Sequence, residues 1–219
     1  TNGSTATFDK IKFVKDGTYY FTITETGGST QGMDYDTADK YAEVKVTYNS
    51  TTKKYEAAVK YGTDKDKCTD TGLTVTNDYT KPEGEAELKV TKAVSGNSYT
   101  GNEAFNFTRS YDSNNDKTGY TMPQNVNETA TNGSTATFDK IKFVKDGTYY
   151  FTITETAGST SNMDYDTAAK YAKVVVTYNK QTKGYDAAVT YGTSKNGATA
   201  ESLTVTNKYS EIKYTHEVK

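Results

Sequence analysis

Cysteine is almost missing from these 219 residues: Cys68 stands alone, and its counterpart in the second half of the chain is Ala198. No disulfide can form within the chain, so a small domain here needs a different staple. Histidine is equally scarce. His216 is the only one, which leaves Ser-His-Asp catalysis and histidine-rich metal sites poorly supported. Tryptophan is absent and proline occurs twice. Acidic and basic residues nearly cancel, giving a net charge of -2. With no basic stripe to displace counterions, a nucleic-acid partner is not expected. No apolar run approaches the ~20 residues of a membrane span and no signal peptide is seen, so no membrane contact is expected either. The sequence gives no reason to expect a cofactor or a metal.

What is present favours β structure: 20 Tyr and 8 Phe, with abundant Thr and Val. Residues 1–26 recur unchanged as residues 131–156, and the likeness at an offset of 130 continues to Tyr79 against Tyr209, which is a tandem repeat. Each copy reads as a run of strands. In the first, Thr5 to Phe8 and Ile11 to Phe13 flank a short turn, and Tyr19, Phe21 and Ile23 alternate inward. Ala42, Val44, Val46 and Tyr48 precede a hairpin signal at Asn49-Ser50-Thr51. Tyr55, Ala57, Val59 and Tyr61 follow, and Leu73, Val75 and Asn77 close the unit. Strands at this spacing without a helical period indicate an all-β sandwich.

The expected organisation is a partial sandwich over residues 1–80, a linker at 81–86, a complete sandwich over 87–209 and a tail at 210–219. Residues 86 to 130 supply what the first copy lacks: a Leu88 to Lys92 strand, a Phe105-Asn106-Phe107 strand and a polar loop from Ser110 to Asn127. The chain opens at Thr1 in mid-pattern, as a processed protein or a fragment would. Residues 211–218 line up with residues 87–94, with His216 where Lys92 stands. The tail therefore reads either as an outgoing segment or as a strand donated to a neighbouring copy.

Three strands end their apolar faces in polar groups. Leu88, Val90 and Lys92 share one parity, as do Tyr149, Phe151, Ile153 and Glu155, and Leu203, Val205 and Asn207. Each alone is ordinary, since lysine can lay its stem over a sheet rim with the ammonium in water. Together they are a complete set for amide formation. A desolvated lysine becomes a neutral nucleophile, and a buried carboxyl can carry a proton. The amine could attack the Asn207 carbonyl while Glu155 polarises it and passes protons until ammonia leaves.

On the motifs Leu88-Lys89-Val90-Thr91-Lys92, Thr137-Phe138-Asp139 to Gly147-Thr148-Tyr149-Tyr150-Phe151, Ile153-Thr154-Glu155, Tyr165-Asp166-Thr167 and Val205-Thr206-Asn207, taken in order, the second copy resembles a known family. It is the major-pilin isopeptide-linkage domain of Gram-positive cell-surface pili, related to collagen-adhesin B-type (Ig-like, CnaB-related) sandwiches. The resemblance covers residues 86 to 209 and, as a partial copy, residues 1 to 79. It implies an all-β fold of tandem Ig-like sandwiches, the first lacking its opening strands. Lys92 would be the amine, Asn207 the carboxamide and Glu155 the acid that assists a spontaneous bond. Glu25 and Asn77 match the acid and acceptor in the first copy, where no lysine precedes them. The resemblance also implies an extracellular, cell-surface location and polymerisation by a sortase with other copies of the subunit, head to tail. No LPxTG-like signal is found.

Other candidates read as structure. Asp112-Ser113-Asn114-Asn115-Asp116 offers oxygen ligands but lacks the glycine and terminal glutamate of a calcium loop, and reads as a turn. Cys68 reads as an incidental thiol. The pairs Tyr19-Tyr20 and Tyr149-Tyr150 read as one ring inward and one outward rather than as a carbohydrate platform. Two functions from different classes follow: a stalk module that is internally cross-linked and not an enzyme with turnover, or an adhesin module that presents loops to a host glycan or matrix protein.

Overall fold

The computed structural model describes residues 1–96 and 98–211. The expected donated strand, with His216, lies outside the described residues apart from Glu211, which carries no secondary structure. All regular structure among the described residues is β, and the chain divides into two units, Thr1–Tyr79 and Thr80–Lys219.

Unit 1 holds β1 (Gly17–Ile23), β2 (Met33–Asp34), β3 (Lys40–Asn49), β4 (Lys54–Gly62) and β5 (Asp78–Tyr79). β1, β3 and β4 form an antiparallel sheet, and β2 pairs with β5. Ala42, Val44 and Val46 are buried on one face of β3, as period-two alternation requires.

Unit 2 holds β6 (Gly84–Ala86), β7 (Lys89–Ser95), β8 (Phe105–Tyr111), β9 (Tyr120–Thr121), β10 (Asn127–Ala130), β11 (Thr135–Thr137) and β12 (Ile141–Phe143). It continues with β13 (Gly147–Thr156), β14 (Met163–Asp164), β15 (Lys170–Asn179), β16 (Gly184–Gly192) and β17 (Thr204–Tyr209). One sheet runs β10-β8-β13-β15-β16, a second β11-β7-β17-β14, and a third β6-β12-β9. Inward residues of all three share one core: Leu88, Val90 and Val205, then Phe105, Phe107, Phe151 and Ile153, then Ile141 and Phe143. β17 pairs with β7 in parallel, with Val205 opposite Lys92 and Asn207 opposite Val94.

Several sequence expectations change here. The segment 81–86, expected as linker, contributes Gly84–Ala86 as a strand on β12, and Glu83 accepts a backbone bond from Tyr185. Gly84 has no room for a Cβ against the Tyr185 backbone, so this close approach requires glycine. The β8 strand runs four residues beyond Phe107, which carries Arg109 into the core, and β9 lies inside the expected Ser110–Asn127 loop.

The largest difference lies between identical sequences. Thr135–Thr137 and Ile141–Phe143 are strands, whereas the same residues in unit 1, expected as strands, are not. In unit 2 their pairing partners are β7, β6 and β9, and unit 1 has no counterpart of these. Likewise β1 stops at Ile23 while β13 continues to Thr156, because residues 154–156 pair with β8. The closing strand of unit 1, expected around Val75 and Asn77, is confined to Asp78–Tyr79.

Candidate functional site

Alternation along β7, β13 and β17 turns Lys92, Glu155 and Asn207 inward beside Val90, Ile153 and Val205. Lys92 and Asn207 are fully buried and Glu155 is nearly so, at 2 % exposure. The Lys92 Nζ donates to Glu155 Oε2 at 2.7 Å, and Asn207 Nδ2 donates to Glu155 Oε1 at 2.5 Å. One carboxylate thus touches the amine with one oxygen and the carboxamide nitrogen with the other. Lys92 and Asn207 sit on adjacent parallel strands in one sheet, offset by two residues, and the acid comes from the other large sheet.

The surroundings are apolar. The Lys92 Nζ lies 4.6 Å from the centre of the Phe105 ring, and Glu155 stands opposite Phe107 in the β8–β13 register. Burial pushes the Lys92 ammonium below its ordinary lysine value, and the Glu155 carboxylate opposes that shift. A weaker bond runs from Nζ to the Val205 carbonyl at 3.4 Å.

The Asn207 carbonyl has its own donor. The Asp166 backbone N–H gives a hydrogen bond to Asn207 Oδ1 at 2.8 Å, which fixes the orientation of the carboxamide. The Asn207 carbonyl oxygen, which Glu155 was expected to polarise, is bonded instead by a backbone amide, and Glu155 faces the carboxamide nitrogen. The Asp166 carboxylate is clamped by the buried Lys170, with Nζ at 2.8 Å from Oδ1 and 2.7 Å from Oδ2. Asp166 and Lys170 were not among the residues expected at the site. Their signal was the Tyr-Asp-Thr segment followed by lysine, present in both copies as residues 35–40 and 165–170.

Chemically, a carboxyl bridging an amine and an amide nitrogen can take a proton from one and give it to the other. A preset N–H at the carbonyl oxygen stabilises the charge that develops there. Unit 1 carries part of the same arrangement. Asn77 Nδ2 donates to Glu25 Oε1 at 2.9 Å, and the Asp36 N–H donates to Asn77 Oδ1 at 2.8 Å.

The family model described as FctA, Spy0128-like isopeptide containing domain, matches residues 1–80 and 88–210. The chain belongs to the Spy0128-like isopeptide-containing domain family. Its matches span both units, so the shorter one is a family member as well. Among solved structures, the Spy0128-like chain is similar to the major pilin of Streptococcus pyogenes at 19% identity and a TM-score of 0.36, over 91% of this chain and 72% of that one. It is also similar to the major pilin T3.2 of the same species, at 18% identity and a TM-score of 0.32, over 90% and 69%. No curated protein matches.

The remaining candidates have internal partners. Asp112 holds Lys195 at 2.7 Å and Asp116 holds Lys145 at 2.6 Å, while Asn115 exchanges bonds with the Tyr150 backbone at 2.8 and 2.9 Å. The expected turn is thus braced against unit 2. Among the described residues no cluster of His, Cys, Asp or Glu is suited to a metal, and no helix is long and apolar enough to cross a membrane. Cys68 is half-buried, with Sγ 3.8 Å from the Tyr41 carbonyl. Tyr149 points inward and its hydroxyl donates to the Lys145 carbonyl at 3.0 Å, while Tyr150 lies on the other face.

Proposed function

We propose that this chain is a structural shaft module of a Gram-positive surface fibre, stapled within unit 2 by an amide bond between Lys92 and Asn207. In this reading the neutral Lys92 amine attacks Asn207 Cγ. The Nζ–Cγ bond forms, the Cγ–Nδ2 bond breaks, and Glu155 relays the proton that lets Nδ2 leave as ammonia. The observation that carries the reading is the bridging of the buried Lys92 and Asn207 by the two oxygens of Glu155. The reaction happens once per molecule, so Glu155 serves no turnover. Copies of the subunit would be joined by a sortase on the outside of the cell.

Connectivity gives the staple its use. Tension applied at the two ends enters along β7, crosses from Lys92 to Asn207 and leaves along β17, so residues 93–206 carry none of the load. The parallel β7–β17 pairing is also loaded in shear rather than peeled. Chain-entropy reasoning for a loop this long gives roughly 4 to 5 kcal/mol of stabilisation. Mechanical resistance is therefore the larger gain.

Single-molecule pulling on the full chain tests the proposal. The stapled unit should release none of the extension stored between residues 93 and 206, whereas Lys92→Ala should release a step on the order of 400 Å at ~3.5 Å per residue. A step of that length from the unsubstituted chain would refute it.

A further inference from the structure

Two loops of unit 2 adjoin the buried Lys92, Glu155 and Asn207: residues 98–104 ahead of β8, and residues 157–162 between β13 and β14. Aromatic rings connect them to the site. The Lys92 amine lies 4.6 Å from the Phe105 ring centre, and Phe105 in turn lies 6.2 Å from Tyr165, the chain neighbour of Asp166. Tyr99 packs on Tyr209, two residues past Asn207, with 5.5 Å between ring centres.

Beyond the last pair of the β8–β13 register, Asn106 with Thr156, the half-buried Glu103 joins the two loops. The Tyr99 hydroxyl donates to Glu103 Oε1 at 3.2 Å, and the Thr160 hydroxyl donates to Oε2. Thr160 also gives its backbone N–H to the Tyr165 hydroxyl at 3.1 Å, and Gly158 passes that hydroxyl so closely that a Cβ would sit 2.6 Å from it. Burial and the Glu103 carboxylate push the Tyr99 hydroxyl above its ordinary value, so it remains a donor as pH rises.

The charge of Glu103 works against amide formation, which needs a neutral amine. Three carboxylates face Lys92: Glu155 from β13, Asp166 ahead of β15 and Glu103 ahead of β8, and all favour the ammonium, although burial outweighs them. Asp166 is itself paired with Lys170. What Glu103 contributes is the closure of two loops by one side chain.

We propose that Glu103 is a positioning residue for the Lys92–Asn207 bond: its two hydroxyl partners hold the loops shut beside the site and exclude the water that would keep the amine charged. This rests on the isopeptide reading of unit 2. Loosened loops admit water, the amine returns towards its ordinary value of about 10.4, and neutral amine becomes scarce near neutral pH. The reacting atoms themselves are unchanged, so alkaline buffer makes good the loss.

The test follows bond formation by intact mass as the full chain, recovered unfolded and unbonded from inclusion bodies, refolds in buffers from pH ~6 to pH ~10. Tyrosine fluorescence records refolding in parallel. Glu103→Ala should lose ammonia about tenfold more slowly than the unsubstituted chain at pH ~7, with the deficit vanishing towards pH ~10 and the refolding rate unchanged. Glu103→Gln should match or exceed the unsubstituted chain at every pH, because its oxygen accepts one hydroxyl and its amide N–H reaches the other while the charge is gone. Glu103→Ala that keeps the full rate at pH ~7, or that is slowed equally at every pH, overturns the proposal. So does Glu103→Gln that is as slow as Glu103→Ala. Should Glu103→Ala fail to refold, Thr160→Val cuts one of the two ties and must show the same alkaline recovery. The Asn207→Ala chain, which can form no bond, separates the two readings: adding Glu103→Ala to it should speed hydrogen exchange several-fold in residues 98–104 and 157–162. Unchanged exchange there overturns the closure. Faster exchange, in a protein whose unsubstituted chain loses no ammonia, leaves the closure standing and removes the isopeptide reading.

Discussion

Phe8 and Phe138 occupy the same place in the same 26-residue sequence, yet one is 72% exposed and the other 1%. Nothing local distinguishes them. Phe138 is covered because Leu88 accepts its backbone N–H and β7, β11 and β12 close around it. Unit 1 has no equivalent of β7.

The two phenylalanines give a controlled comparison. Phe138→Ala should destabilise unit 2 by about 3 to 5 kcal/mol, as buried aromatic truncations do. Phe8→Ala should leave unit 1 within about 0.5 kcal/mol of its original stability. Urea unfolding of the full chain, followed by hydrogen exchange resolved to each unit, measures both.

Glu155→Ala should leave Lys92 and Asn207 as separate residues. Intact mass should return to the value calculated from sequence, and unit 2 should lose at least the roughly 4 to 5 kcal/mol attributed to the closed loop. Lys92→Ala should likewise show the full mass calculated from its own sequence, with no ammonia lost. Thermal unfolding combined with mass spectrometry checks the pair, and Glu155→Ala protein that still lacks one ammonia would remove the acid from its role.

Lys170 should matter to the rate of the bond rather than to its existence. It clamps the Asp166 carboxylate and so steadies the backbone N–H that faces Asn207 Oδ1. Removing a whole oxyanion donor costs about 100-fold or more. Loosening one through Lys170→Met should slow bond formation by about tenfold. Timed quenching of cell-free synthesis, read by mass, measures this, and Lys170→Arg should recover most of the rate, as a merely structural defect would not.

The pH dependence follows from burial of the Lys92 amine, examined where no bond can form. Its folded value lies below the ordinary lysine value, so between that lowered value and about 10.4 the unfolded chain binds more protons. Stability should therefore rise with pH across that window. Asn207→Ala should gain stability towards pH ~10 relative to Asn207→Ala/Lys92→Met, by urea unfolding. Parallel curves would mean the amine is not desolvated.

Much of this architecture is legible in the sequence because it rests on parity. The faces ending in Lys92, Glu155 and Asn207 follow from alternation alone, and so does the all-β class. What escapes depends on contacts made across the fold. Arg109 is buried with Nη1 on the Asp139 carbonyl at 2.7 Å and Nη2 on the Asn125 carbonyl at 3.1 Å, and a charged residue after Phe-Asn-Phe-Thr gives no sign of that. The Asp166 contribution is a backbone amide, to which side-chain patterns are blind. Gly84 resembles a linker glycine until Tyr185 is seen against it. The unpaired state of residues 5–13 is not encoded locally at all, since residues 135–143 have the same sequence and form strands.

The most direct measurement is the accurate mass of the intact chain, followed by mapping of its proteolytic peptides. The account predicts a mass one ammonia below that of the sequence, with Lys92 and Asn207 recovered in a single branched peptide. The full sequence mass, with the two residues in separate linear peptides, would contradict it.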